Sequence, residues 1–283
     1  MAQREDLAAF ERGFLAVDRS FSPDARAKAN KRLAALFADA GTISDTRFVL
    51  ALSEIAALAD NGHTGVIYRG TAPDLGRVGI RVAPFRQDFV VLQAMAGQAA
   101  LLGGRLGAIE GTPLARLREV AHTLTGGIAS RRDRMAPLLL ESPGQLHALG
   151  LTQSARQSTY SFQMPDGRAQ DATLAVVSAP GGGDDDTAEV LAPGAAPGDR
   201  LRFWAEGRPI TLPHSGAMVL MATERHDYLT GCEQYSDCHA AVVKHPITVK
   251  SLDPEVAAPW TLEAYAAGRD PGMEAASRVL RPR

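Results

Sequence analysis

The chain has 283 residues and a mass of 30.0 kDa, with 45% apolar and 22% charged side chains, which is a globular composition long enough to bury one large core or two to three small ones. Thirty basic against 32 acidic side chains leave a net charge of −2, so electrostatics gives no reason to expect nucleic acid or an anionic membrane as partner. No apolar run approaches the ~18 residues of a membrane span, and two cysteines exclude a disulfide-dense scaffold.

Residues 5–60 read as three short helices. Leu7, Phe10, Phe14 and Leu15 recur at helical steps, then Leu33, Leu36 and Phe37, then Phe48, Leu52, Ile55 and Leu58. Ser22-Pro23-Asp24 starts the second helix, Asp39-Ala40-Gly41 ends it, and Ser44-Asp45 caps the third. The texture changes at Asp60-Asn61-Gly62-His63-Thr64-Gly65. Beyond it, Val78–Val82 and Phe89–Leu92 read as strands, Leu101–Ile109 as a Gly-punctuated run ending in a turn, and Leu114–Leu124 as a helix. Strand, strand, Gly-rich connection, strand, helix is the plan of a PDZ-like module.

Arg134–Leu151 is helical in spacing, broken near Pro143-Gly144. Thr159–Met164 and Ala172–Val177 form a hairpin around Pro165-Asp166-Gly167-Arg168. Pro180–Pro197 holds Gly, Pro, Ala and Asp and reads as a linker. Leu201–Trp204 and Ala217–Met221 are short strands, and Trp260–Tyr265 and Met273–Leu280 are helical. The expected class is α+β. The boundaries are an N-terminal helical domain at 1–65, a PDZ-like module at 66–150, a β-hairpin at 151–178, a linker at 179–197 and a C-terminal unit at 198–283.

His63 lies on a Gly-flanked loop at the junction of a helix and a strand, where a general base is well placed. A lone histidine there also serves as a plain turn residue. A helical segment ending in Asp-x-Gly-His-Thr and followed by a PDZ-like module resembles the C-terminal-processing, or tail-specific, serine peptidases, in particular their tricorn-like branch. The resemblance continues through Leu102–Pro113, Gly198–Gly207, Leu212–Gly216, Ser251–Glu255 and Tyr265–Pro271, in the family's order, over roughly residues 5–178 and 198–280. It implies peptide-bond hydrolysis with His63 activating a serine.

The sequence departs from that family in its middle. The Asp-Leu-Arg-x-Asn-x-Gly-Gly stretch and the Thr-x-Ser-Ala element that carries the nucleophile are absent, and the Gly/Asp linker stands in their place. The chain therefore reads as an inactive, peptide- or partner-binding remnant of the peptidase domain, because loss of the nucleophile removes most of the rate. The rival readings are an active hydrolase with His63 and an improvised nucleophile, or a metal-binding module at residues 226–245. Ser215 has His214 beside it, but adjacent residues rarely reach the in-line geometry, and a turn role is expected. None of the four lysines (Lys28, Lys31, Lys244, Lys250) makes a family-like Ser–Lys pair.

His226, Cys232, Cys238, His239 and His245 lie close together, yet their spacing fits no standard zinc finger. A Cys232–Cys238 disulfide is expected under oxidising conditions, with free thiols and metal ligation as the alternatives. Asp184-Asp185-Asp186 lacks the alternation of a calcium loop. No metal and no cofactor enter the leading reading. The PDZ-like module suggests capture of a peptide or protein C-terminus, with Gly79-Ile80 as the carboxylate loop, although Pro84 interrupts the binding edge. Met1–Phe10 is acidic where an export signal is basic then apolar, so no leader is expected, whereas the family resembled is usually periplasmic or secreted. Leu201, Phe203, Trp204, Val219 and Met221 are expected to pack on the sheet of residues 159–177 in one mixed β layer, or else to pair with a partner chain. Homodimerisation is expected if the edge Leu174–Val177 stays open.

Overall fold

The computed structural model describes residues 1–68, 76–177, 200–251 and 256–280. The expected linker, Asp184–Asp186, Gly198-Asp199 and residues 252–255 lie outside these. The helices are α1 (Ala2–Phe10), α2 (Pro23–Asp39), α3 (Asp45–Ala57), α4 (Leu114–His122), α5 (Ala129–Met135), α6 (Pro137–Leu140), α7 (Pro143–Ala148), α8 (Ala240–Lys244), α9 (Leu262–Ala266) and α10 (Pro271–Val279). The strands are β1 (Gly65–Ile67), β2 (Ile80–Phe85), β3 (Asp88–Ala94), β4 (Arg105–Ile109), β5 (Thr112–Pro113), β6 (Gln157–Gln163), β7 (Ala169–Ala175), β8 (Arg202–Glu206), β9 (Ile210–Thr211), β10 (Met218–Leu220) and β11 (Ala222–Asp227). The class is α+β.

α1 continues into a π-helical turn at Glu11–Leu15, which keeps Phe14 and Leu15 buried. Ser22 accepts the N–H of Ala25 at 3.2 Å, and Ser44 that of Arg47 at 3.2 Å, so the starts of α2 and α3 are satisfied by their own cap side chains. Their apolar stripes converge on a first core of Leu7, Phe10, Phe14, Leu33, Phe48, Leu52 and Ile55. That core is completed from the far end of the chain by Leu212, Ala217, Val219 and Met221. β10 carries Val219 in because it pairs antiparallel with both β1 and β9.

A second core fills a sheet ordered β2-β3-β4-β6-β7, with β5 attached to β4. Val78 bridges Val176, and Val177 donates its N–H to Arg77 O at 3.0 Å, so the last strand returns to the entrance of the first and the sheet closes on itself. Ile80, Phe89, Leu106, Ile109, Tyr160, Phe162 and Leu174 fill the interior, with Leu117 of α4 and Leu139, Leu140 and Leu146 of the following helices packed over it. The Tyr160 hydroxyl donates to Leu140 O at 2.9 Å, which settles the one polar atom of that side chain. Gly167 turns the β6–β7 hairpin at φ 84°, a value a side chain would strain. The sheet is continuous across the 150/151 position at which the sequence separates module from hairpin, because β6 pairs with β4 over Leu106–Ile109.

Two expectations are corrected. Val219 and Met221 pack into the helical core and not on residues 159–177, and β8, with Phe203 and Trp204, pairs with β11 in a separate two-stranded sheet. Leu212, Ala217, Val219 and Met221 find their burial among Leu7, Phe14, Phe48 and Leu52 of the helices. The end of β7 is not an open edge either, since Val176 and Val177 are bonded to Val78 and Arg77.

Candidate functional site

The loop carrying His63 is held from both sides. Asp60 has φ 48°, in the left-handed region that non-glycine residues seldom enter. Its carboxylate takes Arg132 Nη2 at 2.5 Å and Arg200 Nη2 at 2.5 Å. Partial burial alone would raise its pKa, but the Arg200 and Arg132 guanidiniums outweigh that and hold the carboxyl below its ordinary value. Asn61 Nδ2 donates to Trp204 O at 2.9 Å and to Thr64 Oγ1 at 3.0 Å. Gly126 lies so close that a Cβ there would meet the Asn61 backbone at 2.8 Å.

Beneath the loop lies Asp18, which is buried. Its carboxylate accepts from Ser20 N (2.8 Å), Ser20 Oγ (2.5 Å), Thr64 Oγ1 (3.0 Å) and Ala222 N (2.7 Å). One side chain thus ties the α1–α2 connection to β1 and β11. A cleft of about 140 Å³ opens beside it, lined by Ser20, Asp60, Asn61, Gly62, Gly127, Arg200, Phe203 and Trp204 among others. That is well under the ~300–1,000 Å³ of a small-molecule site, so it accepts a side chain or a few waters, not a large ligand.

His63 is exposed, and its ring stacks on Phe203 with centroids 5.3 Å apart. Phe203 stacks in turn on His226 (4.6 Å), and His226 on His239 (4.6 Å). The register of β8 against β11 builds this column by placing Phe203 opposite His226. Alongside it, Trp204 is paired with Arg225, whose guanidinium lies between the rings of Trp204 (4.8 Å) and Tyr235 (4.3 Å). Cys232 and Cys238 are joined by a disulfide.

Ser215 belongs to a different place. Its N–H donates to Asp6 Oδ2 at 2.8 Å, its Oγ accepts from Ala217 N at 3.3 Å, and His214 Nε2 lies 2.5 Å from Glu5 Oε2. The serine and its neighbour are thereby committed to a turn pinned on α1.

At the candidate carboxylate loop, Ile80 is buried and Gly79 sits under Gln98 and Met95, where a Cβ would meet Gln98 Oε1 at 2.5 Å. Two residues on, β2 is bonded to an internal carboxylate. Val82 N donates to Glu141 Oε1 at 2.8 Å, Arg77 Nε donates to Glu141 Oε2 at 2.9 Å, and Arg81 Nη1 lies 3.5 Å from it. Burial pushes the Glu141 carboxyl up against the pull of these donors. Glu141, Asp18 and the meeting of Glu206 with His226 and His239 escaped the sequence reading. Apart from Ser20, which is local to Asp18, their partners are distant in sequence and leave no local pattern.

No known family model matches the chain, and no curated protein does. Among solved structures it is similar to mature CPAF, with a TM-score of 0.44 and 16% identity over 64% of this chain and 36% of that one. Mature CPAF complexed with lactacystin aligns with a TM-score of 0.43 and 16% identity over 76% and 46% of the two chains. A photosystem II D1 C-terminal processing protease aligns with a TM-score of 0.24 and 19% identity over 63% and 43%. The chain spans less than half the length of each. Among the described residues no helix is long and apolar enough to cross a membrane.

Proposed function

We propose that this chain is a non-catalytic peptide- or protein-binding protein built on the plan of the tail-specific serine peptidases. The observation that carries the reading is the commitment of Ser215 to a turn held by Asp6, while His63 lies at the end of a ring column on β8. A general base works within about 2.6–3.2 Å of the atom that carries the proton, directly or through one water, and the serine best placed in sequence is held instead in a turn bonded to Asp6 of α1. The binding half of the proposal rests on β2. An N–H of this strand already bonds a carboxylate flanked by two arginines, which is the chemistry that captures a peptide's C-terminus at a strand edge. Gly79 and Ile80 form the entrance to that strand, and a peptide reaching them displaces Gln98 and Met95.

Two measurements test the reading. A serine-directed phosphonate should leave the protein unlabelled, and casein should survive incubation. Stoichiometric labelling that disappears in His63→Ala would overturn inactivity. In fluorescence anisotropy against random peptides, a free C-terminal carboxylate should bind about tenfold more tightly than its amide. Equal binding of the two would remove the carboxylate loop.

A further inference from the structure

Glu206 ends β8, His226 lies in β11, and His239 follows the disulfide-closed loop. Each offers one donor atom, and the three atoms lie within 4.8 Å of one another. We propose that these residues form a binding site for a divalent transition-metal ion of the zinc class, clamped into place by the Cys232–Cys238 bond.

The donor set selects the ion. Two imidazoles and one carboxylate are the protein ligands of open three-ligand zinc sites, with the remaining position left for water or a ligand oxygen. Calcium and magnesium call for oxygen donors throughout. The sequence spacing of the three residues fits no finger because tertiary pairing, not a short loop, assembles them.

That pairing is specific. β8 and β11 run antiparallel with Phe203 opposite His226, and three residues further along β8, past the bulge between Ala222 and Glu224, Glu206 pairs with Ala222. On the other side of β11, Arg225 N donates to Asp237 O at 2.7 Å and His239 N donates to Arg225 O at 3.0 Å. This short parallel bridge lays residues 237–239 along β11 and puts His239 beside His226. Cys238 is the residue in the middle of the bridge, and its bond to the buried Cys232 fixes the loop that delivers it.

The supporting groups fit as well. His226 is buried between the rings of Phe203 and His239, so its plane is set. Its Nδ1 lies 3.5 Å from Tyr228 Oη, while its Nε2 is 4.0 Å from Glu206 Oε1. A proton on Nδ1 facing Tyr228 leaves Nε2 to face the ion, the outer hydrogen bond that orients a ligating histidine. Glu206 is exposed, and it is the arm that closes, since zinc holds its donors at about 2.0–2.2 Å. His239 Nδ1 accepts the N–H of Ala241 at 3.3 Å, capping α8. Ligation through the other nitrogen places the neutral ring's proton on Nδ1, so metal loading releases this cap. Glu224 Oε2, 3.9 Å from His239 Nε2, is the nearby carboxylate outside the triad.

The full chain, oxidised and stripped with a chelator that is then removed, is titrated with zinc chloride by calorimetry. One equivalent should bind. Glu206→Gln and His239→Ala, each checked for parent-like circular dichroism, should weaken binding at least about tenfold, and Glu224→Gln should not change it. The paired Cys232→Ser, Cys238→Ser chain should lose about tenfold as well, and the Ala241 amide resonance should shift on zinc addition in the parent. Absence of saturable binding would overturn the site, as would parent-like affinity in both Glu206→Gln and His239→Ala. A loss in Glu224→Gln equal to that in Glu206→Gln would overturn the assigned carboxylate. Undiminished affinity in the cysteine pair would overturn the clamp.

Discussion

The closed sheet of residues 78–177 is built from one uninterrupted piece of chain, whereas the helical core is built from both ends of the molecule. In the first, every strand partner lies within the same hundred residues, and the seam joins Val78 to Val176. In the second, Leu7, Phe14 and Leu52 meet Leu212 and Val219, and β1 is paired with β10. The sheet can form from contacts of modest sequence separation, while the helices wait for the C-terminal strands to arrive, and closing so long a loop is slow. The two regions therefore differ in what breaks them.

The largest expected effect is in the sheet. Glu141→Ala strands Arg77, Arg81 and the Val82 N–H without their buried carboxylate, which should cost about 3–5 kcal/mol. Hydrogen exchange should rise along β2 and leave α2 and α3 protected. Equal loss of protection in both regions would show one cooperative unit and break the comparison.

Leu52→Ala should cost about 2–4 kcal/mol, because Leu52 is fully buried in the helical core. Its exchange signature should appear at 218–220 as well as in α3, and not at 157–175. Denaturant titration with residue-resolved exchange reads both.

Asp18→Ala sharpens the link between the two chain ends. It leaves the Ala222 and Ser20 N–H groups without their acceptor, and about 1–3 kcal/mol should be lost in thermal melts. Asp18→Asn should recover part of that, since one amide oxygen still accepts.

The smallest effect concerns Asp60. Its carboxyl lies below the ordinary 3.8, so its ion pairs add stability above that value and withdraw it as the pH falls through the lower folded value. The pairs are solvent-screened, which limits the effect to about 0.2–1 kcal/mol. Asp60→Asn should be slightly less stable than the parent at neutral pH and should converge on it in acid. A constant difference across the acid limb would show that the Arg132 and Arg200 pairs contribute nothing.

What the sequence revealed was local. Ser22-Pro23 and Ser44-Asp45 announce α2 and α3 because a cap is a contact over three residues, and Pro165-Asp166-Gly167 announces the β6–β7 turn in the same way. Arg134–Leu151 reads as one broken helix, and its proline-started pieces are α6 and α7, with α5 beginning at Ala129. The pairing of β8 with β11 had no such signal. Ala222–Asp227 alternates poorly and carries Thr223, Glu224 and Arg225 in a row, so only tertiary register makes it a strand. The site residues suffered likewise. His63 stood out through its Gly-flanked loop, but the ring column it joins depends on Phe203 and His226, drawn from strands the sequence assigns elsewhere or not at all.

The seam of the sheet has a bearing on how this chain tolerates change. Residue 177 is fastened to Arg77, and residue 200 is fastened to Asp60. Residues 177 and 200 are thus each fixed by a partner elsewhere in the molecule. Lengthening a tether between fixed posts costs only about 0.6 kcal/mol for each doubling. An insertion between residues 177 and 200 should therefore leave the Val78–Val176 bridge and the Arg200–Asp60 pair in place.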